Sequence, residues 1–268
     1  MAELKKVTTL TLQKMKKEGE KIACLTAYDW LLASILDESG LDVILVGDSG
    51  SMVFAGHDST LPITMDQMIY HSQCVSRGVR RALCIADMPF MSYQTSPEEA
   101  LRNAGRFMKE GLVDGVKLEG GEPMAETIRF ITDRGIPVMG HLGLTPQSVQ
   151  LFGGYRVRGK SDKEAREVFE HAKIVQEAGA FAIVLEKIPT DLAKDITGIL
   201  DIPTIGIGAG PHCDGQILVT PDMLGLFDKF KPKFVRQYAH LKETLKEAFQ
   251  RYASDIKSMK FPSEEECF

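Results

Sequence analysis

The sequence has few cysteines and no long apolar run, the features that indicate disulfide-rich, zinc-binding and membrane-spanning proteins. It holds five cysteines, an odd number with no C-x-x-C pair, so neither a disulfide framework nor a cysteine zinc site is favoured. This usage is typical of the reducing cytoplasm, which we expect as the location. No apolar run approaches the roughly 18 residues that a membrane-spanning helix needs. Residues 1–20 have no apolar core segment, so we expect no secretory signal there.

Positive charge is also in short supply. The chain has 32 lysines and arginines against 37 aspartates and glutamates, which gives a net charge of −5. This balance disfavours nucleic acids and anionic membranes as partners.

The clearest element is the stretch from Val43 to Ser49. Four apolar residues, three of them β-branched, predict a strand buried on both faces, and Asp48 stands where that strand ends. An ionised group there is costly unless it meets a metal, a cation or several donors. Later apolar runs also close on polar groups: Asp87, Glu119, His141 and Glu186. Polar groups at the ends of successive strands are the layout of an active site at the mouth of a parallel β-barrel.

Helix signals alternate with these strands and predict right-handed βαβ units with a parallel sheet. About eight strands can be counted, and 268 residues suit a (β/α)8 TIM barrel of about 250 residues. We therefore predict a single domain over residues 1–268, with a capping helix at 8–18 and a charged C-terminal helix over about 233–257. Residues 50–63 are predicted to be a long loop. A doubly wound open sheet is the alternative, but its site concentrates at one switch point.

Asp48, Asp87 and Glu119 follow neighbouring strands of the predicted barrel. Three converging carboxylates repel one another unless a hard cation lies among them, and oxygen ligands favour Mg²⁺. Judged by spacing alone, separate salt bridges or helix caps explain these carboxylates about equally well.

Three other polar groups are candidates for chemistry. Lys117 and Glu119 lie two apart and share one face of a strand, where a barrel interior normally takes apolar residues. This favours a site, and a mutual ion pair is the alternative. Glu186 follows an apolar run, which favours a proton-accepting carboxylate, and pairing with Lys187 is the alternative. His141 either donates to a substrate or supports another side chain.

Seven ordered motifs resemble the ketopantoate hydroxymethyltransferase family over about residues 8–257. So many matches in order are far more specific than any single one. The motifs are Thr26-Ala27-Tyr28-Asp29, Val46-Gly47-Asp48-Ser49, Leu61-Pro62-Ile63-Thr64, Ala86-Asp87-Met88-Pro89-Phe90, Val116-Lys117-Leu118-Glu119, the run 140–148 and the run 206–210.

The resemblance implies a (β/α)8 barrel, Mg²⁺, and 5,10-methylenetetrahydrofolate as co-substrate. It also implies a homodecamer, a pentamer of dimers, that turns 3-methyl-2-oxobutanoate into 2-dehydropantoate for pantothenate and coenzyme A synthesis. Carried over by position, the metal ligands are Asp48, Asp87 and Glu119. The resemblance implies that Glu186 is the catalytic base. The residues that would contact the 2-oxo acid are Asp48, Ser49, Asp87, Lys117 and His141.

One position departs from the family pattern. After Asp48-Ser49 the family usually has a leucine and then a glycine, whereas this chain has Gly50 and Ser51. The lip of this loop is therefore expected to differ in shape. The acidic tail of the folate would favour basic residues at the rim, and the run 156–160 supplies three: Arg156, Arg158 and Lys160.

Two other functions remain open from the sequence. The related phosphoenolpyruvate mutase and isocitrate lyase group shares the barrel and an acidic metal cluster, but the Lys-Lys-Cys-Gly-His-type loop of many lyases is missing here. A barrel that has lost catalysis and serves as a binding module is the non-enzymatic alternative. All the site carboxylates are present, which disfavours it.

Overall fold

The computed structural model describes residues 5–268. Within them, eight parallel strands close into one barrel whose strand order follows the chain. The strands are β1 Ile22–Thr26, β2 Val43–Val46, β3 Leu83–Asp87, β4 Gly115–Glu119, β5 Val138–Gly143, β6 Ala182–Glu186, β7 Thr204–Ile207 and β8 Gly215–Leu218. Because β8 pairs with β1, the sheet has no open edge. The predicted (β/α)8 barrel is therefore confirmed, and the doubly wound open sheet is excluded.

Helices and short 3₁₀ turns connect the strands. The helices are α1 Thr9–Glu18, α2 Trp30–Glu38, α3 Gly50–Val53, α4 Met65–Gly78, α5 Pro97–Lys109, α6 Ala125–Thr132, α7 Val149–Phe152, α8 Asp162–Glu177, α9 Thr190–Ile199, α10 Thr220–Met223 and α11 Leu241–Lys257. The N-cap hydroxyls of Thr64, Ser96 and Ser161 each accept a hydrogen bond from the backbone N–H three residues on. Each bond satisfies a donor that helix geometry leaves unpaired at the start of the helix.

Two predicted boundaries were wrong. The C-terminal helix begins at Leu241, not near residue 233, because the N–H of Tyr238 bonds to the carbonyl of Met223 rather than to one four residues earlier. The predicted loop at 50–63 opens with a turn of helix, α3, in which the N–H of Val53 bonds to the carbonyl of Ser49.

The chain divides after Leu218 into two compact units. The first contains the barrel and the second, Val219–Phe268, contains α10 and α11. The single domain over 1–268 stays a prediction, and its first four residues lie outside the described part of the chain. From residue 5 onward, no helix combines the length and the apolar character needed to cross a membrane.

Two apolar layers hold the barrel together. The inner layer fills the barrel with side chains such as Ile22, Leu45 and Ile85, and Leu12 and Met15 of α1 belong to the same cluster. The outer, larger layer joins strand residues to the faces of the surrounding helices. The barrel interior is thus a packed apolar core, as expected for this architecture.

Three aspartates repeat one contact at the amino-terminal end of the barrel. Asp42, Asp114 and Asp214 each precede a strand and accept a hydrogen bond, 2.8–3.0 Å long, from a backbone N–H of the neighbouring strand. Each also forms an ion pair of 2.7–3.1 Å; the partners, in order, are Arg81, Lys6 and Lys16. These contacts join adjacent strands where hydrogen bonding within the sheet begins, so we assign them a stabilising role.

Asp214→Ala tests this role. The carboxylate accepts from the backbone N–H and hydroxyl of Thr204 and from the Lys16 amine, so its loss leaves buried donors unpaired. We expect the free energy of unfolding to fall by about 2–3 kcal/mol, and Tm by about 5–10 °C. Thermal denaturation followed by circular dichroism measures the change. Asp201→Ala, at an exposed position nearby, is the control and should change Tm little. Equal Tm values for the two variants would contradict the assignment.

Candidate active site

Most of the sequence-predicted site residues come together at the carboxyl-terminal end of the barrel. Strand register pairs Asp87 with Lys117 and Glu119 with His141. Because all the strands are parallel, their carboxyl ends lie at one end of the barrel. These side chains therefore meet there although they are far apart in sequence. The group consists of Asp48, Asp87, Lys117, Glu119, His141 and Glu186, and all but Glu186 are buried.

Asp87 links two neighbouring strands through its two oxygens. Oδ1 lies 2.9 Å from Nζ of Lys117, and Oδ2 accepts a hydrogen bond of 2.9 Å from the backbone N–H of Asp48. Burial by itself would lower the pKa of Lys117, but the carboxylates of Asp87, Glu119 and Asp48 outweigh burial and raise it. Lys117 is therefore a permanent cation at the centre of the group. The predicted alternative, an ion pair only between Lys117 and Glu119, is not what the structure has.

His141 connects this centre to Glu186. Its Nδ1 lies 3.2 Å from Nζ of Lys117 and 3.2 Å from Oε1 of Glu119, while its Nε2 lies 3.4 Å from Oε2 of Glu186. Burial and the charge of Lys117 lower the pKa of His141, so the ring is neutral. Because an ammonium only donates, Nδ1 accepts from it and the ring proton is on Nε2, facing Glu186. Lys187, the alternative partner predicted for Glu186, instead donates its amine to the carbonyl of Tyr155.

Ser49 lies beside the group at the start of α3. Its Oγ is 2.9 Å from the hydroxyl of Tyr28, which also donates to Thr26. The ring of Tyr28 packs on Gly50 so closely that a Cβ there would lie 2.9 Å from Cδ1. Ser51 donates to the carbonyl of Ser59 at 2.7 Å. At the two positions that depart from the family pattern, Gly50 thus leaves room for the Tyr28 ring, and Ser51 adds a hydroxyl contact within the loop.

Sequence reasoning missed Gln147, although it lies within the motif at 140–148. Its side-chain amide donates 2.9 Å to Oδ2 of Asp48, and its backbone N–H donates 3.0 Å to Oε2 of Glu119. The residue occupies the 3₁₀ turn Pro146–Ser148 that follows β5. Its membership of a motif rich in site residues was the available signal, but no pattern in the sequence indicates which strands it bridges.

The group carries more negative charge than its own cation balances. Burial, followed by the charges of Asp87 and Glu119, raises the pKa of Asp48 well above its usual value. Burial also raises the pKa of Glu119 to about 7. Among the described residues, four buried side-chain polar atoms lack a hydrogen bond, and three belong to this group: Asp87 Oδ1, which has only its ion pair with Lys117, Glu119 Oε1 and His141 Nε2. Buried carboxylate oxygens with so few donors, at such a concentration of charge, are what a bound cation would satisfy.

These residues fit a hard divalent cation such as Mg²⁺. Over residues 5–268, no three His, Cys, Asp or Glu side chains converge as a ready-made metal cage. Mg²⁺ does not require one, because it keeps several waters and is commonly held by one or two carboxylates together with substrate oxygens. Asp48, Asp87 and Glu119 supply the oxygen chemistry that such a site needs.

The basic rim residues are not all free to bind an anion. Arg158 pairs with Glu164 at 2.6 Å and its guanidinium lies 3.8 Å from the centre of the Phe152 ring, whereas Arg156 and Lys160 are exposed.

Residues 154–161 also match the spacing of a phosphate-binding loop, G-x-x-x-x-G-K-S. That loop normally follows a strand, but this segment follows α7, so the structural context of the motif is missing.

The chain matches one family model over residues 6–264, and that model describes ketopantoate hydroxymethyltransferase. A curated relative from Chlorobaculum tepidum is 60% identical over 266 residues, 98% of this chain and 96% of the relative. One from Syntrophus aciditrophicus is 54% identical over 264 residues, 98% and 97% of the two chains. Both relatives are named 3-methyl-2-oxobutanoate hydroxymethyltransferase. The chain belongs to the ketopantoate hydroxymethyltransferase family.

Solved structures from outside the ketopantoate hydroxymethyltransferase family share the fold of this protein. A phosphonopyruvate hydrolase, solved with oxalate and Mg²⁺, superposes with a TM-score of 0.63 at 13% identity, covering 96% of this chain and 92% of the hydrolase. A 2,3-dimethylmalate lyase of the phosphoenolpyruvate mutase and isocitrate lyase superfamily has a TM-score of 0.60 at 14% identity, covering 97% and 91%. At these identities the likeness concerns the fold.

The raised pKa of Glu119 predicts a stability effect in metal-free protein. The pKa of this carboxyl is near its usual value of 4.5 in the unfolded chain and about 7 in the folded protein. The folded state therefore keeps the proton up to a higher pH. Stability should therefore fall as pH rises between these values. Glu119→Gln cannot ionise, and we expect its Tm in excess chelator to exceed that of the parent by roughly 5 °C at pH 8.

The difference should become small at pH 4.5, where the folded carboxyl is protonated and the unfolded one is only half ionised. Glu126→Gln, an exposed glutamate in the first turn of α6, is the control and should behave as the parent at every pH. Differential scanning fluorimetry across this pH range measures all three proteins. A Tm of Glu119→Gln at or below that of the parent at pH 8 would contradict the prediction.

Proposed function

We propose that this protein transfers a hydroxymethyl group from 5,10-methylenetetrahydrofolate to 3-methyl-2-oxobutanoate, giving 2-dehydropantoate for pantothenate and coenzyme A synthesis. The full-length identity to relatives named for this substrate supports the proposal. The observation that carries it is the pairing of His141 with Glu186 beside a separate carboxylate group. Such a site combines a base with a place for a cation, which is the combination that proton removal next to a carbonyl requires.

The proposed metal is Mg²⁺, held by Asp48, Asp87 and Glu119. When bound, it supplies a positive charge that polarises the carbonyl of the oxo acid. The oxo acid carries a carboxylate, and Lys117 provides the buried cation that offsets its charge. The hydroxyl of Ser49 and the ring of His141 are the proposed hydrogen-bonding groups at its edges. Asp48 and Asp87 border the same space.

Glu186 is the proposed base that removes the proton from C3 of the oxo acid. Nε2 of the His141 ring lies 3.4 Å from this carboxylate, and we propose that the ring orients it; the other ring nitrogen lies 3.2 Å from the ammonium of Lys117. Loss of the proton leaves C3 as a carbon nucleophile, which attacks the one-carbon unit of the folate. The methylene carbon is held by two carbon–nitrogen bonds in the folate: one breaks as the new C–C bond to C3 forms, and the other breaks as water adds the hydroxyl group of the product. The proton taken up by Glu186 and one proton of the water end on the two folate nitrogens.

The remaining parts of the proposal concern partners and place. Arg156 and Lys160, which are exposed, are proposed to meet the acidic tail of the folate. The assembly is proposed to be a homodecamer, a pentamer of dimers, whose mass analytical ultracentrifugation would measure. The cytoplasm is the proposed location, in keeping with five free cysteines.

An assay with the two substrates tests the function directly. 3-Methyl-2-oxobutanoate and 5,10-methylenetetrahydrofolate should yield 2-dehydropantoate with Mg²⁺ present, and excess chelator should remove the activity until Mg²⁺ is added back. Product detection by mass spectrometry avoids dependence on a coupled enzyme. Full turnover in chelator would exclude the metal, and absence of product under every condition would exclude the function. Cleavage of the oxo acid without folate would favour a lyase.

Glu186→Gln separates the base from the metal ligands. The substitution keeps the shape of the side chain but removes its basic oxygen, so binding of Mg²⁺ and oxo acid should stay close to normal. Exchange of the C3 proton with deuterated water, followed by NMR without folate, should slow by about 10²–10⁴-fold.

The matched control for this experiment is Glu177→Gln, an exposed glutamate at the end of α8. It should exchange the C3 proton at the parent rate. Undiminished exchange in Glu186→Gln would mean that another group is the base. Loss of oxo-acid binding in that variant would instead make Glu186 a residue that holds the ligand.

A further inference from the structure

We propose that Gln147 is the positioning residue for the metal ligands: it holds Asp48 and Glu119 so that one oxygen of each is left for the cation. This rests on the function proposed above. Gln147 is buried in the 3₁₀ turn after β5, whereas its two carboxylate partners follow β2 and close β4. It thus joins side chains from three separate parts of the barrel mouth.

Every polar atom of the Gln147 side chain has its partners. Nε2 donates to Oδ2 of Asp48 at 2.9 Å and to the carbonyl of Met88 at 3.0 Å. Oε1 accepts from the hydroxyl of Tyr93 at 2.7 Å and from the amide of Gln94 at 3.1 Å. A primary amide has two donor hydrogens and two acceptor lone pairs, so this side chain is saturated.

The partners also determine which way the amide faces. The carbonyl of Met88 can only accept, so the NH₂ group must face it, and the same nitrogen then donates to Oδ2 of Asp48. The hydroxyl of Tyr93 accepts 3.1 Å from the backbone N–H of Glu119 and therefore directs its own hydrogen to Oε1 of Gln147. Exchanging the amide oxygen and nitrogen would bring acceptor against acceptor on the side of Asp48 and Met88, and donor against donor on the side of Tyr93 and Gln94.

The second carboxylate is held through the backbone of the same residue. The N–H of Gln147 donates 3.0 Å to Oε2 of Glu119, and the other oxygen, Oε1, is buried without a hydrogen bond. One residue therefore occupies one oxygen of each carboxylate and leaves the second oxygen of each unclaimed by Gln147. Because an amide is neutral, these contacts orient the carboxylates without cancelling their charge, which remains available to a cation.

The alternative is that Gln147 merely satisfies its own burial. A purely structural glutamine would lower stability when replaced but would leave the affinity for metal unchanged. A positioning residue changes that affinity, and groups that orient metal ligands typically contribute 10–100-fold to it. Metal affinity is therefore the measurement that separates the two roles.

Gln147→Met is the primary variant because it preserves side-chain length and removes both halves of the amide. Binding of Mn²⁺, a probe for the Mg²⁺ site, is measured on the free protein by the EPR signal of the unbound ion. We expect the Kd for Mn²⁺ to rise 10–100-fold. Gln150→Met, an exposed glutamine three residues on, is the control and should bind as the parent does.

Tyr93→Phe tests the same chain of contacts from its other end. It removes the hydroxyl that both orients the Gln147 amide and accepts from the backbone of Glu119. It should weaken Mn²⁺ binding by several-fold, and the double variant should bind no more weakly than Gln147→Met by itself, because both changes break one pathway. Should Gln147→Met fail to fold, Tyr93→Phe carries the test.

The outcomes separate this proposal from the function on which it rests. Parent protein that binds neither Mn²⁺ nor Mg²⁺ overturns the metal site and the Gln147 role with it. Parent protein that binds the ion, together with Gln147→Met or Tyr93→Phe binding equally tightly, overturns the role of Gln147 and leaves the proposed function intact. Weakened binding in both variants, with the Gln150 control unchanged, supports the proposal.

Discussion

The buried negative charge at the barrel mouth is the constraint on which the rest of the site depends. The carboxylates of Asp48, Asp87 and Glu119 are removed from water around the ammonium of Lys117. Charges in such surroundings are tolerated only when donors or counter-ions meet them, and the neighbouring groups serve that need. Backbone N–H groups face Asp87 and Glu119, and a neutral amide faces Asp48. The negative charge that these donors do not satisfy remains available to a ligand.

The remainder of the barrel supplies the rigidity that this arrangement needs. At the amino-terminal end, aspartates engage both the backbone of the next strand and a basic side chain, so their charges are balanced. At the carboxyl-terminal end, by contrast, the carboxylates outnumber their partners and raise one another's pKa. Stability is therefore concentrated at one end of the strands and reactivity at the other, which is how this fold generally separates the two. The packed interior between the ends keeps the strands in register.

Side chains from the loops refine what the strands position. The turn after β5 brings Gln147 against two strands, and the segment after β3 brings Tyr93 against Gln147 and the backbone of Glu119. Solved structures with 13–14% identity share the barrel and yet carry different names, among them a hydrolase and a lyase. A common barrel with different loops is how one fold comes to host many reactions. The loop contacts of Gln147 and Tyr93 are therefore where we expect differences in chemistry to arise.

The sequence by itself determined the architecture and most of the polar groups at the mouth. Apolar runs ending on Asp48, Asp87 and Glu119 carry that information locally, because a parallel strand buried on both faces has its own pattern and its terminal residue has a known place. Local pattern failed at residues 233–240, where the backbone bonds to a distant turn, and it is silent about Gln147. Whether Lys117 pairs with Asp87, which nitrogen of His141 carries the proton, and which carboxylates Gln147 joins were decided only in three dimensions. Each depends on distances between residues that are tens of positions apart, and such distances exist only once the barrel closes.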